Sequence, residues 1–183
     1  MKINSLIFLL LLSVSFVQAQ VLVSYNKSDD VDFSSYQTYQ IEDVEVTDIP
    51  EFEAKKEGLD LLTAEINKQM QARGYEKVNE NPNLIINLGV NISKEVQTRE
   101  TDIRTAPIYT GQRNYYWEAE EVVVSKYIEG TVTLDLVDVS KNEMIWQAIS
   151  AGVLEKKQDK NKKKIVRSVQ KLFKKYPVKA PKN

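Results

Sequence analysis

The chain contains no cysteine and no histidine. The first absence rules out disulfides, so the fold must be held by its core and not by covalent staples. The second removes the usual general base near neutral pH and the commonest metal-binding side chain. Together they exclude Cys-His and Ser-His-Asp chemistry and ordinary zinc and copper sites. Beyond residue 19 there is also no long apolar run, so no integral membrane segment is expected in the mature chain.

What the amino terminus does contain is Lys2, an apolar run from Ile3 to Val14, and then Val17-Gln18-Ala19. The run is too short for an ordinary span, and Val17 and Ala19 suit the two positions that a signal peptidase reads. Residues 1–19 therefore read as a cleaved secretory signal peptide, with Gln20 opening the mature chain. Gln20 stands where a lipoprotein would present its acylated cysteine, so no lipid anchor is expected. Residues 20–183 are enough for one domain with a sizeable core and too few for two.

The formal charge of −1 hides a division along the chain. Residues 155–183 hold twelve of the 25 basic residues and only Glu155 and Asp159 of the 26 acidic ones, which makes this stretch net +10 and the rest net −11. For an exported protein the basic end points to anionic lipid, acidic glycan or a protein partner, and no nucleic acid is expected. Lysines on the wet face of a helix also serve solubility alone.

Alternation from Val21 to Tyr25 predicts a first strand, and Thr38 to Ile41 a second, entered through a turn at Asp32-Phe33-Ser34-Ser35. Glu42 to Asp48 reads as an acidic connector. Pro50 opens a helix whose Leu59, Leu62, Ile66 and Met70 form the buried stripe, and Gly74 ends it. After the turn signal Asn81-Pro82-Asn83, Leu84, Ile86, Leu88, Val90 and Ile92 mark a long strand with one core face. Val122 to Val124 and Tyr127 precede another strand in which Ile128, Val132, Leu134 and Leu136 share a face, with Gly130 sparing the backbone a side chain. Met144 to Val153 is the returning arm of a hairpin, with Met144, Trp146 and Ala148 on one face, Ile145 and Ile149 on the other, and both faces partly covered. A last helix from about Lys162 carries Ile165, Val169, Leu172, Phe173 and Tyr176 before Pro177. The expected fold class is α+β, a single two-layer domain in which two amphipathic helices cover an antiparallel-rich sheet.

Several stretches resemble the DUF4136 family of bacterial envelope proteins and lipoproteins, whose activity is unassigned. They are Val31-Asp32-Phe33-Ser34-Ser35-Tyr36-Gln37-Thr38-Tyr39, Asn81-Pro82-Asn83-Leu84, the run from Tyr127 to Asp138, Ile145-Trp146, and Phe173-Lys174-Lys175-Tyr176-Pro177. The resemblance implies a small α+β envelope domain over residues 20–183 and, without the lipidated cysteine, a soluble periplasmic location. It supplies no catalytic residue. Asp32 with Ser34 or Ser35 reads as a local cap, and Gly130 and Trp146 as sheet packing.

Three groups of residues offer chemistry. Glu118, Glu120, Glu121 and Glu129 supply carboxylates for an acid and base pair, which a glycosidase needs across a cleft. Asp43, Glu45, Asp48, Glu51 and Glu53 offer oxygens to calcium without the spacing of an EF-hand loop. Arg113, Tyr115, Tyr116 and Trp117, with Tyr109 and Arg104, sit in a polar connector where aromatic faces can stack on a sugar or a peptide side chain. The same aromatics can instead fold that connector over the sheet. The expected function is a non-enzymatic periplasmic binding or envelope assembly-support protein. Arg113, Tyr115, Tyr116 and Trp117 are its candidate contacts, an envelope protein or glycan its expected partner, and no cofactor or metal is expected. The alternative is a carboxylate-dependent hydrolase of cell-wall glycan.

Overall fold

A computed structural model describes residues 22–50, 56–100 and 121–181. The sheet is mixed and seven-stranded, in the order β1 (Leu22–Lys27), β7 (Glu143–Val153), β6 (Glu121–Asp138), β5 (Leu84–Glu100), β2 (Thr38–Ile41), β4 (Glu76–Lys77), with β3 (Glu45–Thr47) beside β2 on the same edge of β5. Helices α1 (Lys56–Gln71) and α2 (Gln158–Phe173) complete an open α+β domain. Leu84, Ile86 and Leu88 of β5, Leu134 and Leu136 of β6 and Trp146 and Ala148 of β7 meet Leu62, Ile66 and Met70 of α1 and Val169, Leu172 and Phe173 of α2 in one core. The alternation of β5 and β6 therefore has a direct cause: even-numbered side chains face the helices. Asn87 and Asn91 stand exposed on the other face.

Several expectations need correcting. The acidic connector contains β3, whose Glu45, Val46 and Thr47 pair in parallel with Gly89, Val90 and Asn91. Its residues are exposed, so the strand is held by the backbone ladder on the edge of β5 and leaves no apolar pattern to read. Met144 does not share a face with Trp146. The register between β6 and β7 slips after Leu136, so Leu136 faces Trp146 while Val137 faces Met144, and Ile145 is left as a bulge residue. Ile145 and Trp146 are thus both buried, and Met144 is 46% exposed. Val122, Val123, Val124 and Tyr127 do not precede β6 but belong to it. Helix α2 begins at Gln158, four residues before Lys162, and its regular turns end at Phe173 before Pro177. Pro50, expected to open the first helix, lies in a turn; α1 is described from Lys56, and residues 51–55 lie outside the described residues.

The end of the domain at the helix C-termini is closed by aromatic packing. Trp146 meets Tyr176 edge-on at 5.0 Å between centroids, and Phe33, Tyr75 and Phe173 lie within 6.1 Å of the same tyrosine ring. Tyr176 donates its hydroxyl proton to the Tyr75 oxygen at 3.0 Å, and Tyr75 donates to the Phe33 carbonyl at 2.9 Å. Arg73 then ties the helices together, donating from Nε to the Val178 carbonyl and from Nη2 to the Phe173 carbonyl, with its guanidinium over the Phe173 ring. Gly74, at φ +90°, turns the chain out of α1 where a side chain would be strained.

The turn motif at Asp32 behaves as a cap. Its Oδ1 accepts from the Ser34 amide, and the Ser35 hydroxyl donates to its carbonyl. Nearby, Asn83 Oδ1 accepts from the amides of Gln37 and Thr38, pinning the start of β2 to the start of β5.

Candidate functional site

At the opposite end, α1 and α2 separate from the sheet and leave a cleft of about 650 Å³. The helices run parallel: Glu57 meets Lys162 in their N-terminal halves, and Arg73 meets Phe173 near their C-termini. Both N-terminal ends therefore come to the cleft. Its apolar walls are Leu59 and Leu62 of α1, Val90 and Ile92 of β5, Val132 of β6 and Ile165 of α2. Gly130 and Gly152 face each other across β6 and β7 and add no side chains to the floor. The space above Gly130 is taken by Leu154, three of whose side-chain atoms would stand 3.0–3.2 Å from a Cβ there.

Charge is confined to the rim. Lys162 Nζ bridges from α2 to Glu57 of α1 at 2.7 Å, and the carboxylate raises the lysine's proton affinity above its ordinary value. Lys164 donates to the Val153 carbonyl and to Glu155, and that hydrogen bond lowers the Glu155 carboxyl below its usual range. Asn161 brackets the Glu155 backbone, accepting from its N–H and donating to its carbonyl, and so fixes the approach to α2. The N-cap of α2 is Lys157, whose side chain makes no capping bond. The Lys160 amide of that first turn donates to the Lys157 carbonyl at 3.2 Å, and the positive end of the helix lies near the rim.

One lining hydroxyl lacks a partner. Ser150 is 2% exposed, lines the cleft, and its Oγ has no hydrogen-bond partner among the described residues. Such a group costs desolvation without return. Ser150→Ala, which removes the hydroxyl and adds no atom, should raise the free energy of unfolding by about 1 kcal/mol in urea denaturation. A loss of that size would show that the hydroxyl is satisfied in solution.

Of the sequence-derived candidates, Glu121 and Glu129 fall among the described residues, as do Asp43, Glu45 and Asp48. Arg113, Tyr115, Tyr116 and Trp117 lie outside the described residues, as do Glu118, Glu120, Glu51 and Glu53. Glu121 and Glu129 stand eight residues apart on β6, roughly 26 Å at strand rise. That is beyond the reach of a glycosidase pair. Among the described residues no group of three acids is placed to hold a metal ion. A further perturbed carboxyl is Asp138, at the closed end. Burial works against its charge, but the Ser140 hydroxyl and amide, the Tyr36 hydroxyl and the Lys141 amide donate to it and hold its pKa below the ordinary value. This pins the turn between β6 and β7, a structural task.

The cleft was missed because no motif announces it. Ser150 was the available signal, since a serine in step with Trp146 and Ala148 is a polar residue at a core-facing position.

A family model described as a domain of unknown function (DUF4136) matches residues 21–178. No curated protein matches the chain. Among solved structures, a PDZ domain protein from Parabacteroides distasonis is similar at 12% identity with a TM-score of 0.53, over 88% of this chain and 37% of that one. The chain thus spans little more than a third of that protein's length. A PelC dodecamer from Paraburkholderia phytofirmans is 11% identical with a TM-score of 0.48, over 89% of this chain and 100% of the other. A minor lipoprotein from Acinetobacter baumannii is 11% identical with a TM-score of 0.32, over 76% and 91%. At such identity the first of these shows a shared fold and nothing of activity.

Proposed function

Since the chain belongs to the DUF4136 family, whose members carry no assigned reaction, we propose that it is an exported, non-enzymatic binding domain of the cell envelope whose ligand site is the cleft between the N-terminal ends of α1 and α2. The observation that carries this reading is a concave, mostly apolar site with charge only at its mouth and one unpartnered hydroxyl on a residue that lines it. Sites of this kind bind; a hydrolase would need acids converging in the cleft, and Glu57, the carboxylate that lines it, is held by Lys162.

Binding is tested with a neutral apolar fluorophore, N-phenylnaphthylamine. It should enter saturably, one molecule per chain, and Ile165→Trp should abolish uptake while leaving the circular dichroism spectrum intact. Unsaturable uptake, or uptake untouched by filling the cleft, defeats the reading.

Export rests on the pattern from Lys2 to Ala19. Mass analysis of the protein recovered from cells should find Gln20, or its cyclised form, as the first residue. A retained Met1 or a lipid on the N-terminus would overturn a cleaved, soluble periplasmic form.

A further inference from the structure

We propose that the cleft takes the tail of a single-chain alkyl carboxylate, with the chain along the apolar walls and the head at Lys156 and the first turn of α2. This rests on the binding reading above and gives it a ligand chemistry.

The depth of the cleft decides what enters first. Leu62, Val90, Ile92, Val132 and Ile165 form its apolar walls, and its charged lining residues are Glu57, Lys156, Lys162 and Lys164. An ionic head pressed against the apolar walls would lose its hydration without return. The head must therefore stay at the mouth. A buried hydroxyl without a partner is rare in a finished core. Here the residue that carries it, Ser150, lines the cleft.

At the mouth the sign of the charge is fixed. Of the charged residues lining the cleft, Glu57 is paired with Lys162, and Lys164 is engaged with Glu155 and the Val153 carbonyl. Lys156 makes no ion pair or hydrogen bond among the described residues. Beside it is the N-terminal end of α2, a second source of positive potential without a side-chain cap, with Asp159 the acid in that first turn. The lysines along the outer face of α2 extend the field and draw anions toward the cleft. A glycan fits poorly, because among the described residues no aromatic side chain lines the walls to stack on a sugar ring. The volume of about 650 Å³ suits one alkyl chain with its head outside.

The test uses the whole mature chain and displacement of N-phenylnaphthylamine by octanoate, decanoate and dodecanoate, each below its micelle concentration. Affinity should tighten roughly tenfold for each two carbons added until the cleft is full. Decanol, with the same chain and no charge, should bind about tenfold more weakly than decanoate, and added salt should narrow that gap. Lys156→Glu is an exposed change that leaves the core alone; it should weaken decanoate about tenfold and leave the neutral fluorophore unaffected. If the fluorophore binds but decanoate and decanol compete equally, or Lys156→Glu changes nothing, the carboxylate proposal is overturned while the binding site stands. If neither fluorophore nor decanoate enters, both readings fall together. Sedimentation that shows a dimer dissolved by decanoate would give the cleft to a second copy of the chain, and would likewise overturn the proposal.

Discussion

Trp146→Ala should lower the free energy of unfolding by about 3–5 kcal/mol, read as a shifted urea midpoint at unchanged slope. Trp146 is 1% exposed and packs on Phe173 and Tyr176, so truncation opens a hole where the β7 bulge, the end of α2 and the Tyr176 ring meet. Those neighbours are tied by the Tyr176–Tyr75–Phe33 hydrogen bonds and by Arg73, and cannot collapse freely into the space. Set against a typical total of about 5–15 kcal/mol, this is a large fraction of the fold. The indole nitrogen sharpens the test, because Trp146 Nε1 has no hydrogen-bond partner among the described residues. Trp146→Phe keeps a ring in place and removes an unsatisfied donor, so it should cost less than about 1.5 kcal/mol. Equal losses for the two variants would contradict the packing account.

Alkali should weaken the domain steeply. Burial is the first cause at each of four tyrosines: it pushes Tyr36 and Tyr39 up to about 12 from 10.0, and raises Tyr75 and Tyr176. At Tyr36 the bond donated to the Asp138 carboxylate adds to the effect. An acid whose folded pKa lies above its unfolded value keeps its proton longer in the fold. Through that window the native state binds more protons than the unfolded one, and stability falls as pH rises. The contribution is whole below pH 10 and is lost through 10 and toward 12. A tenfold change in acidity is worth about 1.4 kcal/mol, so the fully buried Tyr39 and Tyr176 together put several kcal/mol at stake. The urea midpoint should be flat to a pH of about 9 and drop sharply by about 11.5. Tyr176→Phe should be less stable at neutral pH, by about 1 kcal/mol for the bond to Tyr75, and show a shallower alkaline fall. Identical midpoints at both extremes would refute the linkage. Asp138 has the opposite sign: its stabilisation is present above the ordinary carboxyl range and disappears as pH falls through its lowered folded pKa.

Much of the fold was legible because burial leaves a periodic trace. The even-numbered side chains of β5 and the helical stripes Leu62–Ile66–Met70 and Ile165–Val169–Leu172 could be read directly, since each faces one core. So could the turns, where Asp32, Asn83 and Gly74 do local work with nearby backbone. The β7 bulge was illegible because alternation assumes a constant register, and one extra residue moves Met144 from the core to solvent. Strand β3 was illegible for a different reason: an exposed edge strand is specified by its neighbour's free carbonyls and amides, not by its own side chains. The cleft is a void, and a void is a relation between elements distant in the chain. The aromatic run at Tyr115 to Trp117 drew attention because clusters are visible in sequence, whereas Gly58, Ile92, Gly130, Ser150 and Ile165 become neighbours only when the layers stack.

The edge strand β1 has one further consequence, for the order of assembly. Leu22–Lys27 pairs with β7 alone, Leu22 opposite Ala151 and Lys27 opposite Trp146, so the first described strand has no partner until nearly the whole chain is present. Phe33 waits in the same way for Tyr176, and Tyr36 for Asp138. Closing such long loops is slow because the chain entropy is lost before any contact repays it. A chain threaded through a pore from its amino terminus would emerge with its leading strand unpaired and its aromatic end unbuilt. It would lock only after Glu143–Val153 and α2 had followed.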